Sequence, residues 1–216
     1  MKTHSTAQYL KWFLFAAVMV GSFFVPMASQ KAKAEGVARA GYTNGFNEQF
    51  TTGAVNWTII TGKWTYDSGF LRGNGVFNSY SNVYFNKSTY SNLDYNVRLK
   101  RRGCSNCENS VNVRWQGNRY VKFAYANTGY YKIEKCGSSG CVSVVGWTAS
   151  GVINKGGFNV LRVVAVGNTY QYYINNRLVS TKSFTGYSSG SVGISMWTSV
   201  AAGNILDIDY AILKKK

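Results

Sequence analysis

From Val111 to Trp147 the chain alternates apolar and polar residues, broken only by short clusters rich in Gly, Asn and Ser. A repeat of two places successive side chains on opposite faces of an extended strand, so the stretch constrains its fold tightly. The breaks fall at Gln116-Gly117-Asn118, Asn127-Thr128-Gly129 and Cys136 to Cys141. Gly and Asn tolerate the positive φ of tight hairpin turns, so the stretch predicts four antiparallel strands joined by three turns. The rest of the chain agrees. Strands are predicted over 57–60, 63–67, 69–73, 82–85, 93–103, 159–166, 169–175, 177–182, 191–197 and 205–213, with no amphipathic helix of ordinary length between them. Many short strands with frequent turn residues predict an all-β sandwich of two antiparallel sheets. No internal repeat or inner domain boundary shows.

The first 34 residues read differently. Lys2 and Lys11 precede an apolar run, Trp12 to Val25, and a polar stretch ends at Ala32-Lys33-Ala34. This is the pattern of a secretory signal peptide cleaved before Glu35. The run is short for a membrane anchor, which needs roughly 20 apolar residues. A short linker over 35–44 and one domain over 45–213 are expected to follow, and no second run long enough to span a membrane occurs. A secreted monomer, exterior to the cell or its envelope, is the expectation.

Charge and two absences narrow the function. The chain has 24 basic and 8 acidic residues, a net charge of +16. Removal of residues 1–34 takes four lysines and no acid, leaving 20 against 8, or +12. Such a balance favours anionic partners such as an acidic polysaccharide or a phosphate-bearing wall polymer. Nucleic acid is not expected, because export argues against it and no recognised module is present. The one histidine, His4, lies in the signal segment, which removes Ser-His-Asp and Cys-His catalysis and any histidine zinc site from the exported chain. The one proline, Pro26, lies there too.

Four cysteines in an exported chain read as two disulfides, with three connectivities open. If 94–103, 108–115, 119–126 and 130–136 are successive antiparallel strands, the 104–107 and 136–141 turns lie at opposite ends of one sheet. A seven-residue strand separates them by roughly 20 Å, whereas a disulfide needs Cα atoms within roughly 7 Å. The predicted pairs are therefore Cys104–Cys107 and Cys136–Cys141. The same separation argues against a four-cysteine zinc site, and with no helix behind Cys104-x-x-Cys107 a thiol redox role is not expected.

Strand parity sorts the same four strands. Val97, Leu99, Val111, Val113, Trp115, Val121, Phe123, Tyr131 and Ile133 share the apolar phase. Arg98, Lys100, Asn112, Arg114, Tyr120, Lys122, Tyr130, Lys132 and Glu134 share the other. With the strands as neighbours, that second set forms one face. Arg and Lys donate to hydroxyl, carboxylate, sulfate and phosphate oxygens, and tyrosine offers a flat surface for a sugar ring. The expected ligand-binding residues are Arg98, Arg114, Tyr120, Lys122, Tyr130 and Lys132. Trp57, Trp64, Trp115, Trp147 and Trp197 are expected in the core.

The order of motifs resembles the concanavalin A-like lectin/glucanase superfamily, in its laminin-G-like bacterial branch, over about 45–213. Phe46, Phe50 and Trp57 match its opening, followed by Gly62-Lys63-Trp64 and Phe70-Leu71. Its middle is matched by Val113-Arg114, Gly117-Asn118, Tyr120 to Phe123, and Gly129, Tyr131, Ile133 and Lys135. Asn159, Leu161, Val163, Gly167 and Asn168 come next, then Tyr172, Ile174, Asn175 and Val179. Gly190, Val192-Gly193-Ile194 and Asp207 or Asp209 close it. The resemblance implies a jelly-roll β-sandwich with one concave sheet. Members include sugar-binding modules, adhesive domains and glycosidases, so the fold alone does not select among them. The paired-glutamate strand of the laminarinase-type hydrolases is missing, as is the Gln-Ile-His strand of the jelly-roll alginate lyases. Catalysis would fall to isolated groups such as Glu108, Glu134 or Tyr120. Calcium, which some members bind, would have to use Asp207 and Asp209 with Asn47 or Glu48, and eight acids make such a cage unexpected. The leading expectation is a secreted, non-enzymatic carbohydrate-binding module that takes an acidic or cell-envelope glycan on the concave face, without a cofactor. A hydrolase or lyase of the same fold and an adhesive domain are the alternatives.

Overall fold

The computed structural model describes residues 44–200 and 203–216. The signal segment expected over 1–34 lies outside the described residues. Fifteen strands follow one another: β1 (Gly45–Glu48), β2 (Trp57–Thr61), β3 (Lys63–Asp67), β4 (Phe70–Asn74), β5 (Ser79–Phe85), β6 (Leu93–Arg102), β7 (Asn109–Gln116), β8 (Arg119–Ala126), β9 (Tyr130–Gly137), β10 (Gly140–Ala149), β11 (Asn159–Val166), β12 (Thr169–Ile174), β13 (Arg177–Ser183), β14 (Ser191–Thr198) and β15 (Ile205–Lys215). One sheet has eight strands in the order β13-β12-β11-β6-β15-β4-β3, with β1 also on β15. The other has seven, in the order β10-β9-β8-β7-β14-β5-β2. All pairings are antiparallel. Among the described residues no helix is long and apolar enough to cross a membrane.

The core forms where the apolar phases of the two sheets meet. Leu93, Tyr95, Val97 and Leu99 of β6 and Leu161, Val163 and Ala165 of β11 come from one side. Val111, Val113, Phe123, Ile133, Ile194 and Met196 come from the other. Aromatic rings fill the wider gaps. Phe46 stacks on Phe85 at 4.1 Å between centroids, and Phe123 meets Tyr172 at 5.2 Å. Each fully buried apolar side chain of this size contributes roughly 1.5–3 kcal/mol, so the interior dominates stability. Trp57 and Trp64 lie in it, as expected.

The four strands of Val111 to Trp147 form as expected, as the β7–β8–β9–β10 meander. The strand over 93–103 does not head that meander. β6 lies in the eight-stranded sheet between β11 and β15, because the edge of β7 away from β8 is taken by β14, with Val111 opposite Ile194. Residues 103–108 are therefore a crossover between sheets and not a hairpin turn. The disulfides form as predicted, though for a partly different reason. Cys136–Cys141 clips the β9–β10 hairpin, with Cα atoms 4.0 Å apart, and Cys104–Cys107 pins the crossover, with Cα atoms 5.5 Å apart.

A β-bulge in β7 places Arg114 inside. Val113 pairs with Val121 and Gln116 with Arg119, so Arg114 and Trp115 together oppose Tyr120. Arg114 takes a φ of 53°, a conformation that costs a non-glycine residue about 1–2 kcal/mol. Its side chain turns inward and is 1% exposed. The guanidinium donates to the Ser91 carbonyl at 2.9 and 2.5 Å, the Tyr187 carbonyl at 2.5 Å and the Tyr170 hydroxyl at 2.7 Å. It thus ties β7 to β12 across the sandwich and holds two loops. The backbone of Gly190 passes so close that a Cβ there would lie 2.3 Å from the Arg114 carbonyl carbon.

Arg114→Ala is therefore a stability variant. Removing the donor leaves several buried acceptors unpaired, so urea unfolding should show a loss of about 3 kcal/mol or more. Arg98→Ala, which removes a half-exposed ion pair with Asp209, should cost about 1 kcal/mol or less. Equal losses would contradict the structural role of Arg114.

Candidate functional site

The outer face of the seven-stranded sheet carries the residues of the polar phase. β8 contributes Tyr120 and Lys122, β9 contributes Tyr130, Lys132 and Glu134, and Glu108 stands at the entry to β7. Lys122 pairs across the strands with Asn112 on one side and Glu134 on the other. β5 and β14 add Tyr80, Asn82, Tyr84, Ser195 and Trp197, with Trp197 directly opposite Tyr80.

At the centre two lysines and two glutamates close a ring. Lys122 Nζ lies 3.1 Å from Glu108 and 3.0 Å from Glu134, and Lys132 Nζ lies 2.7 Å from Glu108 and 2.9 Å from Glu134. The Lys122 side chain is 2% exposed. Burial opposes its charge, but Glu108, Tyr80 and Glu134 outweigh that and hold its pKa above the ordinary lysine value. Lys132 is raised in the same way, burial opposing and the two glutamates prevailing. Burial would raise the Glu134 carboxyl, but hydrogen bonds and charge from Lys132 and Lys122 hold it below its usual range. The Tyr80 hydroxyl completes the ring, accepting from Lys122 at 3.2 Å and lying 3.3 Å from Glu108. Two positive and two negative charges cancel, so the centre of the face is polar and locally neutral.

Aromatic clefts flank the ring. One, of about 490 Å³, is lined by Tyr80, Tyr130, Trp147 and Trp197, with Glu108, Lys132, Asn106 and Thr128 supplying polar groups. Trp147 and Tyr130 are 46% and 45% exposed. The Lys132 ammonium sits 5.1 Å from the Trp147 ring centroid, a cation–π distance that helps fix the indole. The other, of about 540 Å³, is lined by Ile60, Tyr84, Trp115, Gly117 and Asn118. The β7 bulge makes this second cleft, since turning Arg114 inward brings Trp115 outward. The indole stacks on Tyr120 at 4.6 Å and lies over Gly193, where a Cβ would come within 2.6 Å of it.

Of the six expected ligand residues, the structure brings Tyr120, Lys122, Tyr130 and Lys132 to this face. Two expectations are corrected. Arg98 lies on the outer face of the other sheet, paired with Asp209 and stacked 3.9 Å from the centroid of Phe158, because β6 belongs to that sheet. Arg114 is inside, because the bulge breaks the parity that assigned it outward. Lys122 and Lys132 reach the expected face, yet their ammonium groups are committed to two carboxylates each. The expectation that Trp115, Trp147 and Trp197 lie in the core is also corrected, since all three line the clefts. Trp197 was legible by parity, being out of phase with Val192, Ile194 and Met196, as were Tyr80 and Tyr84 beside Val83 and Phe85. Trp147 was not, because two register shifts in β10 scramble its phase. The residues considered for calcium do not converge. Asp207 is held by Arg72 and Arg102, each 2.7 Å away, Asp209 pairs with Arg98, and Glu48 accepts from Asn56.

No family model matches the chain, and no curated protein matches it. Solved structures do. The carbohydrate binding module CBM66 from Bacillus subtilis superposes with a TM-score of 0.58 at 16% identity, over 74% of this chain and 92% of that one. Bacillus licheniformis beta-glucanase gives 0.64 at 13% identity, over 81% and 100%. A prokaryotic beta-1,3-1,4-glucanase (lichenase) derived from a mouse hindgut metagenome gives 0.63 at 10%, over 80% and 100%. The fold is thus the concanavalin A-like jelly roll, shared by a sugar-binding module and by glucanases.

The charged ring should set the pH dependence of stability. A carboxyl whose folded pKa is depressed stabilises above its unfolded value and loses that contribution as pH falls through the folded one. Glu134, with an ordinary value of 4.5, behaves so, as do Asp94 and Asp207 with ordinary values of 3.8. The raised lysines, with an ordinary value of 10.5, stabilise fully below it and lose that contribution as pH rises through their folded values. Urea midpoints should therefore be flat near neutrality and fall below about pH 4.5. Glu134→Gln should lower the neutral plateau and flatten the acid slope. An unchanged slope would show that Glu134 is not held ionised by the ring.

Proposed function

We propose that the chain is a secreted, non-catalytic glycan-binding module, acting as a monomer and using the Tyr80–Tyr130–Trp147–Trp197 cleft. The observation that carries this is a set of solvent-facing aromatic rings beside fixed polar groups, on a jelly-roll face where the two lysine charges are cancelled. The C–H face of a sugar ring packs against indole and phenol, and its hydroxyls meet Asn106, Thr128, Glu108 and Lys132. Two disulfides suit an oxidising exterior. The net charge of +12 that remains once residues 1–34 are removed supports an acidic or cell-envelope glycan, drawn in by the field of the whole molecule.

Hydrolysis is the second reading, favoured by the placement of Glu108 and Glu134 on one face and by the glucanases of the same fold. Glycoside hydrolysis needs a carboxyl that holds a proton for the leaving group. Glu134 is kept ionised by two lysines, and Glu108 is bonded to the same pair. The ring therefore supports binding over turnover.

A glycan array probed at low and raised salt tests the proposal. Binding to a restricted set of glycans, weakened by salt and reduced about tenfold or more in Trp147→Ala with the unfolding midpoint unchanged, is expected. Binding to no glycan, or binding indifferent to Trp147→Ala and Tyr130→Ala together, would overturn it. Release of reducing ends from a bound glycan, lost in Glu134→Gln, would establish the hydrolase instead.

A further inference from the structure

A third recess lies on the other side of the Cys104–Cys107 crossover from the Trp147 cleft. It has a volume of about 570 Å³ and is lined by Lys100, Arg101, Arg102, Ser105, Asn127 and Lys155 among others. Four of its lining residues are basic, and no carboxylate lines it. Its framework is fixed. The Cys104–Cys107 disulfide pins one wall, Asn127 donates to the Arg101 carbonyl at 3.2 Å, and the Thr128 amide donates to the Ser105 carbonyl at 3.1 Å.

The charges there are not cancelled as they are in the central ring. Arg102 is partly compensated, donating to both oxygens of Asp207 at 2.7 and 3.0 Å, but Asp207 also serves Arg72. Arg101 is 1% exposed, and its guanidinium turns inward, away from the recess, where among the described residues it meets neutral groups: Asn109, Thr198, Asn204 and the Trp197 carbonyl. Its Nε has no hydrogen-bond partner among the described residues. Burial without a counter-charge brings its pKa down to about 10. Arg101 therefore adds fixed positive potential behind the recess, and direct contact with an anion falls to Lys100 and Lys155, which line it.

The geometry points to an oxyanion site here, one that takes a sulfate or phosphate group carried on an acidic glycan. The recess adjoins the aromatic cleft across a thin wall. Asn106 and Thr128 line the cleft, while their chain neighbours Ser105 and Asn127 line the basic recess. One oligosaccharide can therefore lay a neutral ring on Trp147 and turn an acidic substituent over the crossover towards Lys155. The oxyanion site stands on its own residues, whereas its joint use with the cleft rests on the glycan-binding reading.

Titration of the protein with inorganic sulfate and inorganic phosphate at low ionic strength, followed by amide NMR, tests the site. Saturable shifts confined to residues 100–105, 127 and 155–156 are expected. They should weaken about tenfold or more in Lys100→Ala/Lys155→Ala and be unchanged in Trp147→Ala. Both lysines lie outside the core, so the double variant should unfold at the parent's midpoint. Non-saturating shifts scattered over the surface lysines, or a double variant that binds both anions like the parent, would overturn the proposal. A second arm compares one oligosaccharide in unmodified, sulfated and phosphorylated forms. Loss of the preference for the acidic forms in the double variant, with binding of the unmodified form retained, supports two adjoining subsites. Saturable anion binding with no glycan bound would leave the oxyanion site standing and remove only its joint use with the cleft.

Discussion

The molecule depends on the contact between two apolar sheet faces. Fifteen short strands contribute alternate residues to that interface, and none could hold its shape alone. Alternation has a strict consequence, because moving a strand by one residue would exchange its core face for its solvent face. The interior therefore fixes the register of the seven-stranded sheet, and the register fixes which side chains meet outside. The Lys122–Glu108–Lys132–Glu134 ring exists because the core residues Val121, Phe123 and Ile133 lock β8 against β9.

The bulge at Arg114 is the local exception, and it shapes both sides of the sheet. One extra residue sends a guanidinium inward, where it joins β12 and two loops, and sends an indole outward onto Tyr120 and Gly193. The left-handed backbone at Arg114 is disfavoured by itself, and its hydrogen bonds offset that cost. Structural tie and aromatic cleft are thus two outcomes of one irregularity.

Charge is distributed with similar economy. On the outer face of the seven-stranded sheet each cation has an anion beside it, which keeps the aromatic cleft locally neutral. At the crossover the basic residues outnumber their partners. A strongly basic composition therefore does not make every basic residue a ligand contact. Where a charge is compensated it organises the face, and where it is uncompensated it remains available to a partner.

The sequence by itself determined the fold class, the four-strand meander and every strand but β1, because period-two patterning and short-range turn chemistry are local properties; both disulfide pairs were legible too, although the neighbouring strands assumed for Cys104–Cys107 belong to different sheets. It also placed Tyr120, Lys122, Tyr130 and Lys132 on one face, since parity holds within unbroken strands. It carried the signals for Tyr80, Tyr84 and Trp197 as well, though these become a site only once β14 is known to lie between β5 and β7. Tertiary structure alone decided that β6 joins the opposite sheet, taking Arg98 with it. It alone decided that bulges reverse Arg114 and Trp115 and bring out Trp147, and that two glutamates absorb the charge of two lysines. The physical reason is the same in each case: strand order, bulges and ion-pair partners are settled by which edges and side chains meet across the folded sheets, and those contacts join residues far apart in the chain.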